Sequence, residues 1–312
     1  MRLAAIDVGT NTTRLLIAEA QGSSYRELDR RFTFTRLGEG VDSEKVIDPV
    51  AMNRTLEAIA EFCSVCGEFG VERLTVAGTS AVRDAGNSGA FLQAAARLSG
   101  APAVALTGDQ EARLSFWGAT GDLAAVNCLV CDIGGGSTEF VLGMPSSKIA
   151  GRVSVDMGSV RLTERYLASD PPATEEILSM EAAIDDLLEV VDREVAGGSE
   201  AVFVGLGGTV TTLAAVHLGL DRYVPELVDR TTLRRESLDA LYRNLARMTI
   251  AERSRIPLLP RGRADVIVAG AAILSRILAH WSFSEVLVSE KDILDGLVLQ
   301  MMGKLDDTDL AG

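Results

Sequence analysis

The sequence predicts an α/β fold made of two similar halves, each with a mixed sheet flanked by helices. Three observations predict it. A strand–turn–strand pattern with an acid at the end of its first strand occurs twice. After each copy, strands and helices alternate in the same order, which is typical of α/β folds. The chain has 312 residues, enough for two domains of about 150 residues, each with its own core.

The two turns share a glycine-containing motif. The first reads D-V-G-T-N-T-T from Asp7, between apolar runs at 3–6 and 15–17. The second reads D-I-G-G-G-S-T from Asp132, between apolar runs at 129–131 and 140–142. Glycine allows a close backbone approach to a ligand, and successive N–H groups form an anion-binding nest. One such turn alone is more often an ordinary hairpin, but two copies indicate a phosphate site.

The remaining elements follow in the same order in both halves. In the first half, a helix is predicted to begin at Asp48 and Pro49 and to end before Gly70. Strands are predicted at 74–77 and 104–106, and a capping box at 107–110 begins the next helix. In the second half, a strand at 201–204 enters a glycine-rich helix start at 205–209, and a strand at 286–288 precedes a helix start at 289–292. Inserted helices are predicted at 174–195 and about 236–248. We therefore predict domains at 1–124 and 125–312, with the last helix either in the second domain or packed back on the first.

Composition and charge exclude several classes of partner. The formal net charge of −14 opposes non-specific binding to nucleic acid or to anionic membranes, so we expect neither as a partner. The N-terminus enters a strand at once, without the pattern of a signal peptide. The longest weakly polar run, at 266–274, is far shorter than the ~20 residues of a spanning helix. We therefore expect a cytoplasmic protein.

The sequence has no G-x-x-x-x-G-K-[ST] motif, so the loops themselves are expected to hold phosphate through N–H groups and hydroxyls. Asp7, Asp132 and Glu139 are the candidate ligands of Mg²⁺, which prefers carboxylate, water and phosphate oxygens; Mn²⁺ is the alternative metal. The predicted substrate-binding residues of the three loops are Thr10, Asn11, Gly134, Gly135, Gly136, Ser137, Thr138, Gly207, Gly208 and Thr209.

Two further residues have the chemistry of catalysis. Glu111 lies in the first turn of a predicted helix, where it would orient or deprotonate a water molecule, or would simply complement the helix dipole. Arg83 follows the end of a predicted strand. It would neutralise phosphoryl oxygens, or would form a surface ion pair with Asp84 or another neighbour.

Taken together, these segments resemble the exopolyphosphatase / guanosine pentaphosphate phosphohydrolase family, within the actin-like ATPase superfold. The similarity covers nearly the whole chain, at 6–16, 78–87, 107–114, 131–143, 156–162, 205–213, 263–274 and 288–297. It implies two actin-like (ribonuclease H-like) domains of the short family type, with the active site in the cleft between them, and a homodimer.

The resemblance also assigns roles to individual residues. It implies that Glu111 is the catalytic base and that Arg83 contacts phosphate. It further implies that Asp132 and Glu139 bind Mg²⁺ and that Asn11 and Ser137 line the phosphate site. The chain departs from the family pattern at Gln110, where an acid is usual, and at Leu294, where an arginine is common.

The predicted function is that of an exopolyphosphatase, which releases terminal phosphate from polyphosphate with Mg²⁺ and a water positioned by Glu111. Hydrolysis of guanosine pentaphosphate, phosphotransfer of the sugar-kinase type, and a non-enzymatic polyphosphate or alarmone sensor are the alternatives. Residues 230–263 contain nine arginines and three acids. This basic segment is either a solvated helical face or a path for the distal phosphates of a polyanion.

Overall fold

A computed structural model describes residues 1–123, 126–145, 149–196, 198–259 and 261–305. The chain forms two compact units: the first comprises Met1–Gly118 and Ile293–Gly312, and the second comprises Ala119–Asp292. The boundary predicted between residues 124 and 125 lies outside the described residues and stays a prediction.

The elements of the first 120 residues are β1 (Arg2–Val8), β2 (Thr12–Gln21), β3 (Ser24–Phe34), α1 (Val41–Glu44), α2 (Pro49–Glu68), β4 (Arg73–Gly78), α3 (Ser80–Asp84), α4 (Ser88–Ser99), β5 (Ala103–Ala105) and α5 (Gly108–Thr120). Those that follow are β6 (Cys128–Ile133), β7 (Thr138–Gly143), β8 (Ile149–Val155), α6 (Ser159–Tyr166), α7 (Thr174–Glu194), a 3-10 helix (Gly198–Glu200), β9 (Val202–Leu206), α8 (Gly207–His217), α9 (Pro225–Val228), β10 (Thr232–Arg234), α10 (Arg235–Arg247), α11 (Ile250–Arg253), α12 (Arg261–Ala264), α13 (Ile267–His280), β11 (Glu285–Val288) and α14 (Ile293–Met301).

The described residues contain two mixed sheets with the same strand order. The first sheet has the order β3-β2-β1-β4-β5, and the second has β8-β7-β6-β9-β11 with β10 added at its edge. In both sheets the first three strands of the order are antiparallel neighbours. The strands β1, β4 and β5 run parallel, as do β6, β9 and β11. The predicted duplication and fold class are therefore confirmed.

Local sequence signals explain where several elements begin. Asp48 caps α2, because its Oδ1 accepts hydrogen bonds from the backbone N–H groups of Val50 at 2.8 Å and Ala51 at 3.1 Å. Helix α7 covers the second sheet with apolar side chains at helical spacing; those fully buried are Met180, Ile184, Leu188 and Val191. Most of the predicted strands and helices thus appear within a residue or two of their expected positions.

The outer strands β3 and β8 were not predicted. Strand β3 is largely exposed or half-buried, and its sequence RELDRRF is dominated by charged residues that do not alternate cleanly with apolar ones. Such a strand carries little of the periodic signal by which strands are recognised. No described helix is long and apolar enough to span a membrane.

The C-terminal helix α14 packs on strands β1 and β2 of the first unit. Asp295 fixes it there: both of its carboxylate oxygens accept hydrogen bonds at 3.0 Å from Nη2 of Arg30, and Oδ1 also accepts one from the hydroxyl of Tyr25. The Asp295 side chain is 1% exposed. Its polar bonds therefore define the docking of the helix as well as its apolar face does.

Candidate active site

In the first unit, three predicted site residues lie at one edge of the sheet. Asp7 is the penultimate residue of β1, Arg83 lies on α3 just after β4, and Glu111 lies in the first turn of α5 just after β5. Since these three strands are parallel neighbours, their carboxyl ends meet at the same edge. Ligand sites of open α/β sheets form at such edges.

Arg83 and Glu111 form an ion pair. Nη1 of Arg83 donates to Oε2 of Glu111 at 2.9 Å and to the carbonyl oxygen of Leu106 at 3.0 Å. The side chain of Glu111 is 10% exposed, and that of Arg83 is 27% exposed. The arginine thus holds the carboxylate in a defined orientation, while its own side chain is partly exposed.

The helix that carries Glu111 is fixed by a reciprocal cap. Oγ1 of Thr107 accepts from the N–H of Gln110 at 3.2 Å, and Oε1 of Gln110 accepts from the N–H of Thr107 at 3.0 Å. This confirms the predicted capping box. An amide satisfies the cap as well as an acid would, so the departure at residue 110 leaves the helix start intact.

Asp7 lies opposite an arginine. Arg14 is its direct partner across the β1–β2 hairpin, and it donates to Oδ2 of Asp7 from Nε at 2.9 Å and from Nη2 at 2.6 Å. The Asp7 side chain is 3% exposed. A guanidinium therefore already neutralises this carboxylate and competes with any cation for Oδ2.

The loop after Asp7 is held from one side by residues 36–38. The N–H of Gly38 donates to the carbonyl of Thr10 at 2.9 Å, and the N–H of Arg36 donates to the carbonyl of Asn11 at 3.0 Å. A Cβ on Gly38 would lie 2.2 Å from Cγ2 of Thr10, so glycine is required for this approach. The positions of both predicted loop residues are thus defined through their backbone.

In the second unit, two buried carboxylates lie directly opposite each other. Asp132 of β6 is the register partner of Glu139 of β7, and the two residues are 7% and 2% exposed. Oε1 of Glu139 accepts a hydrogen bond from the hydroxyl of Ser154 at 2.7 Å. Paired carboxylate oxygens with a hydroxyl behind one of them are the hard donors that Mg²⁺ prefers. These residues therefore fit the predicted metal.

The start of helix α8 approaches this acidic pair closely. Gly207 has φ +86°, and a Cβ there would lie 2.6 Å from Oδ1 of Asp132. The carbonyl of Gly208 accepts a hydrogen bond from Nη1 of Arg263. Cγ2 of Thr209 packs against Gly270 of α13, where a Cβ would lie at 2.4 Å. The predicted glycine-rich helix start is therefore built around the carboxylate.

The loop at 134–137 closes on itself, and the hydroxyl of the next residue, Thr138, is bound within the protein. The N–H of Gly134 donates to the carbonyl of Ser137 at 3.0 Å. The hydroxyl of Thr138 donates to the carbonyl of Met157, and the side chain is fully buried. Ser137 and the glycine amides are thus the donors of this loop that best match the predicted phosphate site.

Three arginines at the site were not predicted as site residues from the sequence: Arg14, Arg161 and Arg263. The hairpin register was an available signal for Arg14, since it stands seven residues after Asp7, as Glu139 stands seven after Asp132. The contacts of the other two arginines join residues 25 and 55 positions apart, which no local pattern reveals.

The basic segment divides into engaged and exposed arginines. Arg230 pairs with Asp122, and the nearly fully buried Arg253 lies 3.5 Å from Asp170. By contrast, Arg243 and Arg247 are exposed one turn apart on α10, and neither makes a salt bridge with another described residue. Exposed arginines of this kind are the members of the segment that can meet a polyanion.

The structure thus collects the predicted residues into two sets. Asp7, Thr10, Asn11, Arg83 and Glu111 lie at one edge of the first sheet. The remaining predicted residues surround the carboxyl ends of β6 and β9 in the second unit. Within the described residues, no group of three or more His, Cys, Asp or Glu side chains forms a metal site. The prediction that both sets share one cleft stays a prediction.

The chain is similar to known proteins over nearly its whole length. The model of the Ppx/GppA phosphatase family matches residues 16–305. Exopolyphosphatase 2 of Mycobacterium tuberculosis is 36% identical over 317 residues, which cover 97% of this chain and 99% of that protein. Among solved structures, an exopolyphosphatase-like protein has a TM-score of 0.92 at 35% identity and covers 98% and 100% of the two chains. The Aquifex aeolicus family member has a TM-score of 0.82 at 30% identity, with 97% and 98% covered.

Proposed function

Since the chain belongs to the Ppx/GppA phosphatase family, we propose that it is an exopolyphosphatase which releases terminal orthophosphate from inorganic polyphosphate by Mg²⁺-dependent attack of water. The chain is a phosphoanhydride hydrolase, and the choice of polyphosphate rests on the exopolyphosphatase that is 36% identical over nearly its full length. The observation that carries the proposal is the Arg83–Glu111 pair at the edge where the first phosphate loop begins.

The pair supplies a base and a cation to one reaction. In the proposed step, the oxygen of a water molecule bonds to the terminal phosphorus while Glu111 accepts a proton from that water. The bond from phosphorus to the bridging oxygen breaks, and the bridging oxygen leaves with the electron pair on the shortened chain. Arg83 would offset negative charge on the transferring phosphoryl group. In phosphoryl transfer, positioning and electrostatics account for most of the catalysis.

We propose that Asp132 and Glu139 hold the Mg²⁺ ion. Both are buried carboxylates at one register position, and the backbone of Gly207 lies close beside Oδ1 of Asp132. The ion would neutralise phosphate oxygens, while the loop amides and the hydroxyl of Ser137 bind them. Asp7 was predicted as a third ligand; its pairing with Arg14 favours instead a role in holding the first loop.

The test is release of orthophosphate from long-chain polyphosphate, guanosine pentaphosphate and ATP, measured side by side at equal phosphoanhydride concentration. We expect the highest kcat/KM on polyphosphate. A higher value on guanosine pentaphosphate would replace polyphosphate as the substrate, because both reactions use the same terminal phosphoanhydride. Binding of these compounds without any release would contradict the hydrolytic mechanism and favour a sensor. Glu111→Gln serves as the negative control for contaminating phosphatases.

Two further expectations belong to this proposal. A homodimer would be detected by light scattering coupled to size-exclusion chromatography. A cytoplasmic location would be detected by fractionation of the source cells.

A further inference from the structure

The first turn of helix α6 covers one side of the glycine-rich loop at 134–137. The N–H of Ser159 donates to the carbonyl of Gly134 at 3.0 Å. The N–H groups of Val160 and Arg161 donate to the carbonyl of Gly135 at 2.8 and 3.1 Å. The N-terminal amides of α6 are therefore committed to the loop.

The third carbonyl of the loop is bound by a side chain. Nε of Arg161 donates to the carbonyl of Gly136 at 2.6 Å. The Arg161 side chain is 4% exposed, and its Nη2 lies 3.4 Å from Oδ1 of Asp156, which is 65% exposed. A charge-assisted bond in such a buried place is stronger than one between neutral groups.

These bonds determine where the loop amides point. A trans peptide is planar, and its C=O is antiparallel to the N–H of the next residue. Because the carbonyls of residues 134, 135 and 136 all face α6, the N–H groups of Gly135, Gly136 and Ser137 face the opposite side. Consecutive amides that point in one direction form an anion-binding nest. The guanidinium also polarises the peptide between Gly136 and Ser137, which makes the N–H of Ser137 a better donor.

Close backbone contact supports the same arrangement. A Cβ on Gly158, the residue that precedes α6, would lie 2.2 Å from the carbonyl oxygen of Gly135. Only glycine allows the helix to begin this near the loop. The contact brings Arg161 within reach of a carbonyl 25 positions earlier in the chain.

We propose that Arg161 is a positioning residue that orients the 134–137 loop for the phosphates of the substrate by binding the carbonyl of Gly136. This inference rests on the proposed function, which assigns the loop to phosphate. The arginine acts from behind the loop, and it contributes through the direction and polarity of the Ser137 amide rather than by contact with the substrate.

The test compares Arg161→Gln with wild type and with Arg165→Gln, which removes an exposed charge from the same helix. Two quantities are measured: KM and kcat for polyphosphate, and the inhibition constant of orthophosphate. We expect Arg161→Gln to raise KM and the inhibition constant about tenfold, because a charge-assisted hydrogen bond contributes on the order of one tenfold step in affinity. Arg165→Gln should stay within twofold. Arg161→Lys, which keeps a charged donor, should recover most of the loss.

A purely structural role would give a different result. Partial unfolding lowers the active fraction, and hence kcat, but leaves KM and the inhibition constant unchanged; that outcome would overturn the proposal. Arg161→Met, measured in the same way, replaces the glutamine variant if the latter does not fold.

The increase in melting temperature caused by orthophosphate is followed as well. If wild type fails to hydrolyse polyphosphate yet shows this increase, the proposed function fails, and the comparison with Arg161→Gln still tests the arginine. No increase in wild type would overturn the assignment of the loop.

Discussion

Replacing Asp7 and Glu139 separately by their amides distinguishes a carboxylate that pairs with arginine from one for which we propose metal binding. Glu139→Gln removes a charged oxygen from the acidic pair in the second unit while keeping its size. We expect the Mg²⁺ concentration for half-maximal activity to rise at least tenfold, on the order of the loss seen when groups around a metal are changed. Asp7→Asn should leave this concentration within twofold of wild type, since Arg14 already neutralises Asp7.

Asp7→Asn should instead lower the free energy of unfolding. Removing one partner of a buried ion pair costs about 3–5 kcal/mol, because the other charge stays buried. Arg14 is 22% exposed, so water takes over part of its solvation, and we expect Asp7→Asn to cost about 2 kcal/mol. For a domain of this size, that free energy lowers the melting temperature by roughly 4–8 °C.

The assay is phosphate release by metal-depleted enzyme across a Mg²⁺ titration, with calorimetry on the same preparations. Glu61→Gln, an exposed position on α2, is the control for loss of one acid. The reasoning is refuted if Asp7→Asn shifts the Mg²⁺ titration as far as Glu139→Gln does, because the metal would then depend equally on both carboxylates.

Three other outcomes are expected. Glu111→Gln should lower kcat by ~10²–10⁴-fold with little change in KM, as measured by phosphate release; retention of more than half the rate would exclude Glu111 as the base. Replacing Arg243 and Arg247 together by Gln should raise KM for long polyphosphate at low salt, but not KM for tripolyphosphate. The increase should become smaller as salt rises, because exposed charges are screened. Equal increases in KM for both substrates would argue against a path for distal phosphates. Asp48→Ala should lower the free energy of unfolding by about 1 kcal/mol, measured by denaturant titration. Asp48→Asn should lower it much less, because asparagine keeps the cap of α2. Equal losses in the two variants would show that the cap contributes nothing.

The features predicted correctly from the sequence are those encoded locally. The cap at Asp48, the capping box at 107–110 and the strand–turn–strand motifs each occupy a few consecutive residues, and each appears in the structure. Strand β3 was not predicted, because its stability depends on pairing with β2 rather than on its own apolar pattern. The hydrogen bond from Arg161 to Gly136 was not predicted, because the two residues are far apart in sequence and come together only in the folded chain.

The duplication makes the differences between the two halves informative. Each half begins with a strand that ends near an aspartate, followed by a turn of three or four residues and a return strand. In both halves the residue paired with that aspartate across the hairpin stands seven positions later. In the first half the partner is Arg14, so the chain supplies its own counter-charge; in the second half it is Glu139, so two carboxylates share one position. Like charges directly opposite in a sheet are unfavourable, and a buried acidic pair at a glycine-rich loop is better explained by a cation than by the stability of the sheet. The repeated motif thus carries a self-neutralised carboxylate in the first unit, and in the second an acidic pair for which we propose Mg²⁺ as the counter-charge.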